Sequence, residues 1–232
     1  SVETEDMDGD GDEDIIVGNL GLNYKYKASE EEPFEVYSYD FDDNGVLDIV
    51  LSYYEHGESF PVRGKSCSTQ QIPSLGETFE TFEAFGSSNL GNIYGENLKK
   101  ALNLKSKTFA SAYIENRGNG GFRVRPLPSL AQVSSVNSIL AKDFDNDGHK
   151  DLLIVGNLFV SEIETPRNDA STGLFLKGDG TGDFLPISIE KSGFFAPNDA
   201  KDMKLIKVGK KEIILVANND FYLQAIENIG VN

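Results

Sequence analysis

Ala141-Lys-Asp-Phe-Asp-Asn-Asp-Gly-His-Lys-Asp-Leu-Leu-Ile-Val-Gly-Asn157 decides the fold. Asp143, Asp145 and Asp147 stand at every second position, Gly148 follows directly, and Asp151 comes eight residues after the first. Alternate carboxylates on a tight loop can turn inward onto one hard cation. The glycine permits the sharp backbone turn, and the carbonyl of His149 at the seventh position adds an oxygen. The ion this donor set predicts is calcium. An EF-hand opens with the same spacing but needs a bidentate Glu at position twelve and a helix on each side. Position twelve here is Ile154, inside the apolar run Leu152 to Val155, whose length and β-branching are those of a strand. The loop is therefore expected to join strands.

The pattern occurs twice more. Asp6, Asp8, Asp10, Gly11 and Asp14 fill the same slots, with Asp12 at the seventh position, ahead of Ile15-Ile16-Val17. Asp40, Asp42, Asn44, Gly45 and Asp48 fill them again, with Val46 seventh, ahead of Ile49-Val50-Leu51. Turn geometry alone favours Asp and Gly, but it does not require Asp14, Asp48 or Asp151. Up to three calcium sites follow.

The net charge of −17 excludes nucleic acid as a partner class, since phosphates call for Lys and Arg. Eleven of the 38 acidic residues occupy proposed ligand positions, so part of the acidity is a metal signature. A single cysteine, Cys67, rules out an internal disulfide framework. No apolar run approaches the ~18 residues of a membrane span, and Ser1-Val-Glu-Thr-Glu5 has no signal-peptide character. Weak calcium sites suit an extracellular, outer-surface or periplasmic setting, with any export signal lying outside this stretch.

Internal repetition sets the expected architecture. After the 141–157 stretch come Gly173-Leu-Phe-Leu, the turn Gly178-Asp-Gly-Thr-Gly182 and Asp183-Phe-Leu-Pro-Ile, which together make four strands in two hairpins. Ala112 to Pro126 is a twin of the second hairpin, with Phe122, Gly118 and Gly120 each 62 residues before Phe184, Gly180 and Gly182. The loops at Asp40 and Asp143 are 103 apart, so a surplus of 41 residues is assigned to an insertion within the second unit. Within residues 55–107, Phe79, Phe82 and Phe85, then Leu90, Ile93, Tyr94, Leu98, Ala101 and Leu102, recur at threes and fours. That spacing predicts one or two short amphipathic helices.

The units expected are 1–33, truncated of its outer hairpin and most of its innermost strand; 34–128, carrying the insert; 129–195; and 196–232, a degenerate copy. In the last, Lys204, Ile206 and Val208 replace the first three ligands, while Gly209, Glu212 and Asn218 keep their places. The chain is expected to begin in mid-unit. A C-terminal strand from Phe221 to Ile226 is expected to supply what the first unit lacks if a ring closes.

A period near 61 residues, four strands per unit and an acidic loop in the first hairpin resemble the FG-GAP or VCBS repeat. The matching residues are Asp6/Asp8/Asp10/Asp14, Asp40/Asp42/Asn44/Asp48 and Asp143/Asp145/Asp147/Asp151. The chain departs from the name-giving motif in having Gly18-Asn19 and Gly156-Asn157 after the second strand. Asn19-Leu-Gly-Leu-Asn23, Ser52-Tyr-Tyr-Glu-His-Gly57, Arg125-Pro-Leu-Pro128 and Ser192-Gly-Phe-Phe195 are similar to VCBS-repeat proteins of Bacteroidetes-type bacteria, related to the cartilage acidic protein family. The resemblance implies an all-β fold of β-propeller-type blades, an integrin-α-like partial propeller with a small helical insertion. It further implies a calcium-binding, non-catalytic adhesion scaffold for a protein or carbohydrate ligand at a cell surface. The alternative is a polysaccharide-active enzyme or accessory domain on a propeller. His56 with Cys67 makes a poor nucleophile pair because no third member is marked, and Gly178 to Gly182 reads as a hairpin turn rather than a phosphate cradle, lacking a following helix and Lys.

Overall fold

A computed structural model describes residues 1–161 and 165–228. In chain order the strands are β1 (Val2–Glu5), β2 (Asp14–Val17), β3 (Phe34–Tyr39), β4 (Asp48–Glu55), β5 (Glu58–Pro61), β6 (Leu102–Ser106), β7 (Ala112–Asn116) and β8 (Phe122–Pro126). They continue as β9 (Ser138–Lys142), β10 (Asp151–Val155), β11 (Leu174–Gly178), β12 (Phe184–Ile187), β13 (Ala200–Val208), β14 (Lys211–Asn218) and β15 (Gln224–Asn228). Helices α1 (Lys65–Gln71), α2 (Ser74–Thr78), α3 (Phe82–Gly86) and α4 (Leu90–Tyr94) lie between β5 and β6, and α5 (Ile189–Ser192) follows β12. The strands form four antiparallel sheets, as an all-β chain should, and each acidic loop joins two strands. Among the described residues no helix is long and apolar enough to cross a membrane.

Two compact units result, one from Ser1–Lys25 with Phe109–Asn232 and one from Tyr26–Thr108. The first holds the sheets β1-β2-β7-β8, β12-β11-β10-β9 and β13-β14-β15. Strand β10 shows how they pack. Its five residues are all buried, and the period-2 alternation of a strand sends them to opposite faces. Leu152 and Ile154 enter a core with Ile16, Tyr113, Ile139 and Leu176. Leu153 and Val155 enter another with Phe175, Met203, Ile214 and Val216. A fully buried side chain of this size contributes roughly 1.5–3 kcal/mol, so the continuous apolar run of β10 fixes the middle sheet between its two neighbours. The opening strands β1, β9 and β13 lie side by side.

The second unit is the sheet β5-β4-β3-β6 with the four short helices. Val50 of β4 packs with Ile72, Leu75, Phe79, Phe85, Leu90, Ile93 and Tyr94 from the helical segment. The stripe read as one or two helices is thus divided among α2, α3 and α4. Leu102 belongs to strand β6 and Phe82 points outward, 70% exposed. Residues 55–107 therefore contain two strands, β5 and β6, as well as helices.

The structure corrects the unit boundaries. The hairpin β7–β8 does not belong with the Asp40 loop, because β7 pairs with β2 through Ile15↔Ile114, Ile16↔Tyr113 and Val17↔Ala112. The first sheet is complete. It includes an innermost strand, β1, paired from Val2↔Val17 to Glu5↔Asp14, and what interrupts it is the whole of 26–108. Residue offsets locate a hairpin along the chain but do not name its partner strand, and it is β7 that brings Tyr113 and Asn116 to the buried carboxylate of Asp14. Strand β15 pairs with β14, not with the first sheet. In the last sheet Lys204, Ile206 and Val208 lie inside β13, paired with Leu215, Ile213 and Lys211. The acidic loop has there been replaced by a tight turn at Gly209, whose φ of 64° suits a glycine. Residues 162–164 of the expected 129–195 unit and 229–232 of the expected 196–232 unit lie outside the described residues.

Candidate metal centres

Each acidic loop closes the first hairpin of its sheet, and the three are built on one hydrogen-bond scaffold. The carboxylate at the first position accepts the glycine N–H at the sixth: Gly11 to Asp6 at 3.2 Å, Gly45 to Asp40 at 2.7 Å, Gly148 to Asp143 at 3.0 Å. The fifth-position side chain accepts the N–H of the seventh residue: Asp12 to Asp10 at 2.9 Å, Val46 to Asn44 at 2.8 Å, His149 to Asp147 at 2.9 Å. The ninth-position carboxylate accepts the N–H just after the first ligand: Met7 to Asp14 at 3.1 Å, Phe41 to Asp48 at 2.9 Å, Phe144 to Asp151 at 2.9 Å. Such N–H bonds hold the chain in a ring with the side-chain oxygens directed inward.

The ninth-position residues also tie each loop to the sheet. Asp14 and Asp151 are wholly buried and Asp48 nearly so. Asp14 accepts the Tyr113 hydroxyl at 2.6 Å and the Asn116 N–H at 2.8 Å. Asp151 accepts the Gly178 N–H at 3.0 Å, and Asp48 the Gln71 amide at 3.2 Å. Asn116 and Gly178 hold the same place at the end of the third strand of their sheets, which confirms that β7–β8 belongs with the first loop. The sequence pattern missed the fourth position, where Gly9, Asp43 and Asn146 have φ of 78°, 57° and 62°. Gly, Asp and Asn are the types that adopt this left-handed conformation most readily, and that was the available signal.

The structure gathers carboxylate oxygens within 4.8 Å of one another in three groups: Asp6, Asp8 and Asp10; Asp40, Asp42 and Asp48; Asp143, Asp145 and Asp151. Asp14 stays with its protein donors, and Asp147 pairs with Lys177 at 2.7 Å. Asn44 holds the fifth position of the second loop with a neutral amide, its Oδ1 accepting the Val46 N–H. Asp12, Val46 and His149 sit at the rims; Val46 is 65% exposed.

Crowding of carboxylates shows in the electrostatics of the first and third rings. Burial, reinforced by the charges of Asp14, Asp10 and Asp6, raises the carboxyl of Asp8 above its ordinary value. Burial likewise raises Asp151, with Asp145 and Asp147 adding to the effect. Asp147 is lowered instead, by the Lys177 ammonium, and Lys177 is raised, first by Asp145 and then by Asp147. Asp42 Oδ1 and Asp143 Oδ1 are buried without any hydrogen-bond partner, a costly condition for a charged oxygen. Carboxylate and amide oxygens without thiolate or imidazole nitrogen suit a hard divalent ion, not zinc or copper. All three loops could hold a metal ion on these grounds.

His56, Cys67, Gly180 and Gly182 belong to none of the three carboxylate groups. His56 occupies the tight turn between Glu55 and Glu58 with φ of 52°, and Cys67 is an exposed residue of α1. Gly180 and Gly182, with φ of 75° and 74°, form the turn between β11 and β12. Compared with protein-family models, curated proteins and solved structures, the chain matches none.

Proposed function

We propose that the three loops bind calcium and that the sheets are blades of an FG-GAP/VCBS-type β-propeller. In this reading the chain is a non-catalytic scaffold, outside the cell or on its surface, presenting a protein- or carbohydrate-binding face. The observation that carries the metal assignment is the triple recurrence of one scaffold: a ring of inward oxygens closed by a buried ninth-position carboxylate, with Asp42 Oδ1 and Asp143 Oδ1 left for an ion. The adjacency of β1, β9 and β13 supports the blade reading, since propeller blades set their first strands around a common axis. The ion's role is structural, holding each first hairpin in shape.

At calcium twenty times above a dissociation constant in the ~10⁻⁴ M range of extracellular modules, each filled loop adds roughly 1.8 kcal/mol by mass action. Thermal unfolding in chelator and in millimolar calcium should therefore differ by several degrees. Titration calorimetry should count three ions per chain. Identical melting curves in the two buffers, with no binding heat, would rule out the calcium assignment.

A further inference from the structure

The three loops share a scaffold but differ in the residue that faces the ninth-position carboxylate. Leu152 pairs with Leu176, so the next position sets Lys177 beside Asp151. The Lys177 ammonium reaches into the loop and forms ion pairs with Asp145 and, at 2.7 Å, with Asp147. Its side chain keeps 36% exposure while that of Asp145 keeps 9%. In the first sheet Ile15 pairs with Ile114, and the position beside Asp14 is Glu115. Its carboxylate is engaged by Arg117 at 3.2 Å, Arg125 at 3.7 Å and Arg123 at 3.8 Å. The second loop is faced by the neutral amide of Gln71. The first and third loops carry the same four aspartates, and the facing residue is the difference that places a cation directly on the ligand carboxylates of one and not of the other.

We propose that Lys177 is a built-in counter-cation that competes with the divalent ion for Asp145 and Asp147, making the third loop weaker than the first. The proposal rests on the calcium reading of the loops. Without the ion, the ammonium offsets the repulsion between the two carboxylates. When the ion enters, the partly exposed side chain swings out and its two ion pairs are given up. Two such pairs at a partly exposed site together weaken binding roughly tenfold.

The test is a calorimetric calcium titration of the full chain as wild type, Lys177→Gln and Lys177→Arg. K177Q should tighten one site roughly tenfold and leave the others unchanged, and K177R should follow the wild type. In chelator, K177Q should melt below the wild type, because Asp145 and Asp147 then face each other without a counter-charge. In the wild type carrying ¹³C-dimethylated lysines, the Lys177 resonance should move with the calcium dependence of the site that K177Q tightens. Binding by K177Q that matches the wild type at every site, or K177R tightened as much as K177Q, overturns the proposal and leaves calcium binding intact. No calcium uptake by any of the three proteins overturns the calcium reading itself, and this proposal with it.

Discussion

Replacing Asp151 with alanine separates what the carboxylate does for the fold from what it does for an ion. The side chain is wholly buried and accepts two buried N–H groups, from Phe144 at 2.9 Å and Gly178 at 3.0 Å. Each donor left unpaired costs about 1–3 kcal/mol. Burial already disfavours the charged carboxylate, as its raised pKa shows, and that relief offsets part of the loss. A net destabilisation of ~2–4 kcal/mol in chelator follows, and since a unit of this size loses about 2–4 °C per kcal/mol, the melting temperature should fall by on the order of 10 °C. Asp143→Ala is the companion. Its one such bond, from Gly148, is exposed, so in chelator it should cost less than ~1 kcal/mol while abolishing the stabilisation that calcium gives this loop. Urea unfolding of both variants with chelator and with calcium provides the measurement. If D151A matches the wild type in chelator, or if D143A is equally damaged there, the division between anchor and ligand is wrong.

Gly156→Ala would put a Cβ 2.0 Å from the Ser135 carbonyl oxygen and 2.7 Å from the Asn137 nitrogen, a backbone clash expected to cost ~1–3 kcal/mol or more, readable as a lower urea midpoint with the calcium stoichiometry retained. The Lys142 ammonium depresses the Glu212 carboxyl below its ordinary value of 4.5. The pair should therefore contribute its stability above that value and lose it as pH falls through the depressed folded value; Glu212→Gln should flatten this acid limb, seen by repeating the urea midpoint across acidic pH. Excising residues 26–108 should leave a folded protein, because the sheets of the remaining unit are paired internally and Gly21 N–H already meets the Phe109 carbonyl at 2.8 Å. The excised chain should bind two calcium ions instead of three by calorimetry; aggregation or loss of β-sheet circular dichroism would contradict the division into units.

What the sequence disclosed was the part of the molecule that is local. Asp6, Asp40 and Asp143 and their companions could be recognised because metal-ligand spacing on one tight loop leaves no freedom of arrangement. The strand after each loop was readable because Leu152 to Val155 are apolar without interruption. The owner of the Ala112–Pro126 hairpin was not readable: strand pairing between residues far apart leaves no mark on spacing, and the count from Asp40 to Asp143 fits an insertion in either unit. Tyr113 and Asn116 became meaningful only when seen against Asp14. Lys177 was equally silent, an ordinary lysine until β11 brought it to the third loop. The loss of the fourth loop was visible at Lys204, Ile206 and Val208, but its manner was not, since lengthened strands leave the same residues as substituted ligands would.

Because Val17 must find Ala112 before the first sheet can close, half of that sheet is made long before its other half is available. Chain entropy rises only slowly with the length spanned, about 0.6 kcal/mol per doubling, so the delay costs the finished protein little. Its larger effect is on timing during synthesis. The inserted segment pairs its own two ends, Phe34 against Ser106, so once its sheet forms it acts as a clasp that shortens the gap between Val17 and Ala112, and the order of assembly follows from where the insertion interrupts the first sheet.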